Sequence, residues 1–151
     1  MTLLTLNLNV DQQLSTIPES KLIMTWLEVA YLESTPCTVN IEIVTEELAQ
    51  SLNKQYRGKD YATNVLSFPF EAPPIDMPMA HLGDLVLCAN VVKKEAAEQT
   101  IPIDNHWAHL FIHGMLHLQG YDHINDSEAE AMELLEIKLL KQLNINNPYL
   151  I

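Results

Sequence analysis

The segment 105–119, "NHWAHLFIHGMLHLQ", constrains this chain more than any other. In an α-helix each residue turns about 100°, so His106, His109, His113 and His117 share one stripe while Trp107, Leu110, Phe111, Ile112, Met115, Leu116 and Leu118 make the remainder apolar. A helix apolar on nearly all sides belongs inside a core, so the fold must be assembled around it. Buried imidazoles need partners. A single histidine in such a place is best read as a core side chain satisfied by a backbone carbonyl, whereas four on one face call for a shared purpose.

His113 and His117 stand one helical turn apart, near the separation at which two neutral imidazoles reach one ion. Gly120 follows, where a left-handed residue ends a helix and folds the chain back, so that His123 returns to the same point from a third side. Three nitrogen ligands with an open fourth position describe a catalytic zinc site rather than a structural one. One Zn²⁺ is the default, and nickel, copper or iron also suit imidazole. The spacing HxxxHxxGxxH matches the three-ligand part of the metzincin signature, yet that signature places a glutamate directly after the first histidine, where this chain has Gly114. The base of a peptide-cleaving enzyme is therefore missing, although an ion held by three histidines lowers the pKa of a water toward about 7 without one.

Charge developing on a substrate needs a counterpart. Arg57 is the sole arginine; it lies in "KQYRGK", which holds Lys54, Arg57 and Lys59 of the 8 Lys+Arg in the chain. Its fixed cationic fork fits a phosphate better than a peptide carbonyl. Against this local spot stands a formal net charge of -12, which argues against a protein that coats nucleic acid non-specifically. Any RNA binding is expected to be weak and shallow in salt dependence, resting on Lys54, Arg57 and Lys59 with help from Lys93 and Lys94.

At 151 residues, 48% hydrophobic and 19% charged, the chain suits one globular domain spanning residues 1–151. No apolar run is long enough for a membrane span, and "MTLLTLNLNV" lacks the positive start of a secretory signal, so a cytoplasmic protein is expected. Cys37 and Cys88 read as buried thiols. "LLTLNLNV", "CTVNIEIV", "NVLSFPF" and "HLGDLVLC" read as strands. Helices are expected over Pro18–Leu32, after a Thr45 cap, after an Asn90 cap, from about Asn105 to Gln119 behind an Asp104 cap, and from about Ser127 to Leu143 with Asn125 and Glu128 as a capping box. "EAPPIDMPM" is a surface loop. The class is α+β: a four-stranded mixed sheet packed with about five helices, carrying a metzincin-like three-histidine metal site at the end of a buried helix. Asp60, Thr63, Asn64 and Ser67 form a polar row after Arg57, of which Asn64 is a candidate for RNA contact; His81 and Asp84 read as turn residues around "LGD".

"HGMLHLQGYDH" together with "YRGKDYATNVLSFPF" and "HLGDLVLC" closely resembles the YbeY family of bacterial metal-dependent endoribonucleases. The resemblance runs from the second expected strand to the ending "NPYLI" and is weakest over the first thirty or so residues, with Ala62 standing where many members have proline. It implies that His113, His117 and His123 bind the metal and that Arg57 lies in the catalytic cleft. It further implies a single-strand-specific endoribonuclease acting in 16S rRNA 3′-end maturation, ribosome assembly and ribosome quality control. Its partners would be single-stranded RNA or rRNA, the small ribosomal subunit and basic ribosomal proteins, with no membrane or DNA partner. His109 and Asp122 suit hydrogen-bonding support of the ligands, and Lys59 substrate contact. Whether water or the RNA's own 2′-OH attacks stays open. Two other readings remain: a metal-dependent peptide or amide hydrolase, and a non-catalytic ribosome-assembly factor with a structural metal.

Overall fold

The computed structural model describes residues 3–14, 16–70, 80–122 and 124–149. Among them the chain forms four strands and five helices: β1 (Leu4–Val10), α1 (Ser20–Ala30), β2 (Cys37–Val44), α2 (Glu46–Arg57), β3 (Val65–Pro69), β4 (Ala80–Cys88), α3 (Ala89–Gln99), α4 (Ile103–Leu118) and α5 (Asp126–Gln142). The sheet runs β1-β2-β4-β3. β1, β2 and β4 are parallel, and β3 pairs antiparallel with β4. This is the mixed α+β arrangement that the alternation in the strands predicts.

Period-2 patterning decides which face each helix covers. Val39, Ile41 and Ile43 of β2 and Leu85 and Leu87 of β4 point to one face, where they bury completely beneath α1, α4 and α5. Val86, Cys88 and Leu66 point to the other, where a smaller cluster gathers Ala49 of α2 and Val91 of α3. α4 touches α1, α3, α5, β3 and β4. Trp107, Phe111, Ile112, Met115 and Leu116 are fully buried there, which accounts for a helix apolar on nearly every side. Trp26 of α1 and Trp107 each lie 5.9 Å from the Phe111 ring, forming the aromatic centre of the core.

The helix ends differ in instructive ways from sequence expectation. α3 starts at Ala89 behind Cys88, and α4 starts at Ile103 behind Pro102, so neither Asn90 nor Asp104 is the cap. In both cases the chain enters helical geometry early because the buried apolar residues nearby need it; Asp104 instead sits in the first turn, where its charge suits the helix dipole. α1 begins at Ser20, two residues beyond Pro18. Thr45 precedes α2 without a side-chain cap bond. Asn125 caps α5 as expected, its Oδ1 accepting from Glu128 N at 2.9 Å. The "EAPPIDMPM" loop lies outside the described residues. The "LGD" segment is not a turn: Thr38 pairs with His81 and Val39 with Gly83, leaving Leu82 as the extra residue of a bulge inside β4. Gly83 permits this with φ 148, and a Cβ there would stand 2.6 Å from Phe68 O.

Gly114 sets the distance between α4 and the sheet. A Cβ on it would lie 2.7 Å from Leu85 Cδ2, and Leu85 is fully buried. Helix and strand therefore meet in van der Waals contact through the missing side chain. Alanine at 114 gains about 1 kcal/mol of helix propensity but overpacks the core at a cost of about 1–3 kcal/mol. Gly114→Ala should accordingly lower stability in urea unfolding by about 1 kcal/mol. In a Leu85→Ala background the same change should cost nothing or stabilise; an equal penalty in both backgrounds would show that Leu85 is not what the methyl meets.

Candidate active site

The histidine stripe of α4 faces a carboxylate that arrives from α5. Glu136 is buried, 1% exposed, although it carries a charge. His109 Nε2 donates to its Oε1 at 2.8 Å and His113 Nδ1 to the same oxygen at 3.0 Å. The Tyr149 hydroxyl donates to Oε2 at 2.9 Å. Burial alone would raise the Glu136 pKa, but the bonds and charge of His109 and His113 outweigh it and bring the carboxyl down to about 2. Tyr149 shifts the opposite way, raised by its burial and by the negative charge of Glu136.

These bonds determine a tautomer. With its proton on Nδ1, His113 presents the Nε2 lone pair outward. That atom stands 3.0 Å from His117 Nε2. Two nitrogens each about 2.05 Å from one tetrahedral ion would be about 3.3 Å apart. The pair, oriented from behind by a carboxylate, thus fits a shared divalent cation. His123, the third expected ligand, lies outside the described residues, and among the described residues no group of three metal-binding side chains is assembled. What delivers the chain toward that position is visible. α4 ends at Gly120 with φ 98; Tyr121 N donates to Leu116 O at 3.0 Å and Gly120 N to His117 O at 3.0 Å, a Schellman reversal immediately beyond His117.

A cleft of about 1520 Å³ opens over the histidines, lined by α4, β3 and the last turn of α2. His109, His113, His117, Arg57, Asn64 and Asp122 all line it. Lys59 does not; it is exposed on the loop beyond α2. Arg57 ends α2, is exposed, and forms no ion pair or hydrogen bond among the described residues. Lys54 pairs weakly with Asp60 at 3.9 Å. The loop between α2 and β3 is pinned by buried Asn53, whose Nδ2 donates to Tyr61 O at 2.8 Å, so Arg57 is carried on a fixed rim. Asn64 is occupied structurally: Oδ1 accepts from Val65 N at 2.7 Å and Nδ2 donates to Glu95 Oε1 at 3.0 Å. Glu95 also accepts from His106 Nε2 at 2.9 Å. Its own desolvation notwithstanding, His106 and Asn64 hold the Glu95 carboxyl below the usual range.

Three of these residues escape sequence reasoning. Glu136 had a signal: it lies on the apolar stripe of α5, four residues after Met132 and three before Leu139, where a glutamate is out of place unless it has buried partners. Glu95 and Tyr149 carry no comparable mark, because their partners come from α4 and α5 through the tertiary fold.

An imidazole pair backed by a buried carboxylate, in an open cleft with one free guanidinium, belongs to a hydrolytic enzyme acting on an anionic substrate. Comparison with known proteins makes the class specific. The model of the family described as Endoribonuclease YbeY matches residues 6–144. A Methylococcus capsulatus protein named Endoribonuclease YbeY is 53% identical over 135 residues, 89% of each chain. A Thermotoga maritima protein known from its solution structure aligns with a TM-score of 0.56 at 25% identity, over 91% of this chain and 92% of its own. The chain belongs to the YbeY family and is an endoribonuclease, a hydrolase of RNA.

Replacing Glu136 tests what the buried carboxylate holds. Glu136→Gln should lose about 3 kcal/mol of stability, since one amide oxygen cannot serve three donors and the amide N–H₂ is left buried facing donors. Urea midpoints that coincide with the wild type would show that the three bonds contribute little.

Proposed function

We propose that the chain is a zinc-dependent, single-strand-specific endoribonuclease of 16S rRNA 3′-end maturation, with His113, His117 and His123 as the metal ligands and Arg57 as the catalytic cation. The observation that carries this is the 3.0 Å approach of two imidazole nitrogens, one of them orientated by Glu136, at the floor of the cleft that Arg57 borders. When bound, such an ion supplies Lewis acidity at the phosphodiester and brings the pKa of water to about 7. Everything else is done by the chain. Glu136 keeps the His113 proton on Nδ1 and so keeps Nε2 available as a donor atom. Arg57, unpaired among the described residues, offers two parallel N–H groups to a phosphoryl oxygen and stabilises the extra charge of the transition state. Asp122 lines the same cleft, where a carboxylate suits support of an imidazole or a water.

Peptide hydrolysis fits the site less well. Where peptide-cleaving enzymes of this spacing hold a glutamate, this chain has Gly114, and a side chain there would have to displace the buried Leu85 side chain. The acidic surface supports a role on a particle rather than on free RNA: a formal net charge of -12 favours docking to basic ribosomal proteins of the small subunit. Ribosome assembly and quality control in the cytoplasm belong to the same proposal and are supported by the family likeness alone.

Elemental analysis paired with cleavage of single-stranded RNA in the presence and absence of chelator tests the metal. One equivalent of zinc, or of nickel in its place, and loss of cleavage with chelator are expected; undiminished cleavage without metal would end the proposal. Arg57→Ala should lower kcat/KM by about 10²–10³-fold with metal content and unfolding midpoint unchanged. Product ends then separate the nucleophiles, since a 2′,3′-cyclic phosphate marks attack by the RNA's own hydroxyl. Immature small-subunit particles should be trimmed at the 16S 3′ end faster than naked precursor RNA of the same sequence.

A further inference from the structure

The cleft is poor in positive charge for a site that handles RNA. Its lining sets Arg57 against the carboxylates of Glu95, Glu98 and Asp122. Lys54, the next cation along α2, is turned toward Asp60. Neutralising phosphates is the usual source of RNA affinity, and few contacts of that kind exist here. The source that remains is the base. An aromatic ring stacks with any nucleobase and requires one whose face is not already covered in a duplex.

Tyr56 is placed for that task. It lies in the last turn of α2 directly before Arg57, lines the same cleft, and is 59% exposed. Phe68 of β3 braces it, with ring centroids 5.1 Å apart and planes at 70°. A T-shaped contact of this kind steadies the ring without covering both its faces. The Tyr56 hydroxyl makes no hydrogen bond among the described residues, so no polar partner explains its position. Tyr149, by contrast, is committed: its hydroxyl serves Glu136 and its ring stands edge-on to His109 at 5.4 Å. The left-handed Gly58, φ 71, ends α2 one residue after Arg57, and no atom would lie within 4 Å of a Cβ placed on it.

We propose that Tyr56, steadied by Phe68, is the stacking platform that receives an unpaired nucleobase adjoining the phosphodiester at Arg57, so that preference for single strands is set by ring stacking rather than by charge. This rests on reading the cleft as the RNA-cleaving site. It makes Tyr56 a specificity-determining residue: a paired base cannot reach the ring without leaving its duplex, and all four bases are accepted.

The test compares wild type, Tyr56→Phe and Tyr56→Ala as metal-loaded full chains, on a short single-stranded RNA and on copies in which one base at a time is replaced by an abasic ribose. Stacking predicts that Tyr56→Ala raises KM by roughly 10- to 100-fold with kcat within about 3-fold, while Tyr56→Phe stays near wild type. At one position the abasic copy should cost the wild type the same factor and cost Tyr56→Ala nothing. Fluorescence anisotropy with the same labelled RNAs in chelator reads binding without turnover and should show the same pattern. An unchanged KM and affinity in Tyr56→Ala, or no abasic position to which the variant is indifferent, would overturn the proposal. Failure of the metal reading is seen separately, as wild-type cleavage that survives chelator, and leaves the Tyr56 comparison intact.

Discussion

The buried carboxylate of Glu136 is the constraint around which the rest of the site is arranged. A charge that is 1% exposed survives only with full hydrogen bonding, and it obtains this from His109, His113 and Tyr149. Those partners come from α4 and from the chain beyond α5, so satisfying one group locks three segments together. The same bonds leave His113 with its Nε2 lone pair turned to His117. Core packing and tautomer selection are therefore one event: the energy that keeps Glu136 folded in is the energy that orients the His113 imidazole.

Gly114 serves the opposite face of the same helix. The His113 side meets polar partners, while one residue on, the missing side chain lets Leu85 seat against the backbone. A glutamate here, the base of peptide-cleaving enzymes with this histidine spacing, would have to displace the Leu85 side chain. The departure from that signature is thus a packing requirement as well as a chemical one. A site without a glutamate directly after its first histidine suits substrates that bring a nucleophile or a good leaving group, and a phosphodiester of RNA carries its 2′-OH beside the scissile bond.

Periodicity made the four strands, the five helices and the burial of α4 legible in advance, because each rests on local alternation between apolar and polar residues: Val39, Ile41 and Ile43 against Thr38, Asn40 and Glu42 settle one strand alone. Helix starts were less legible. Asn90 and Asp104 have capping side chains, yet α3 and α4 begin one residue before each, behind Cys88 and Pro102, since burying Ala89, Val92 and Trp107 outweighs a single cap bond. The "LGD" bulge could not be told from a turn, because Gly83 serves both equally well in sequence. In the site, Arg57 stood out through being the sole arginine and the histidines through spacing. Glu95 and Tyr149 did not, for a polar residue acquires meaning from a partner that is distant along the chain.

A strongly acidic endoribonuclease has to reconcile its charge with its substrate. Surface carboxylates repel RNA at range, so encounter is slow and unspecific binding is suppressed. Segments held by a particle, or offering bare bases at short range, are the substrates proposed to overcome this repulsion. A cation that meets a phosphate at contact distance is worth more than several screened ones outside, which is the physical basis of the role proposed for Arg57. It lies in the last turn of α2, directly before the left-handed Gly58, and forms no ion pair among the described residues. Net repulsion and a guanidinium unpaired among the described residues are in this sense complementary: the first limits which RNAs approach, and the second is the group proposed to act on those that do.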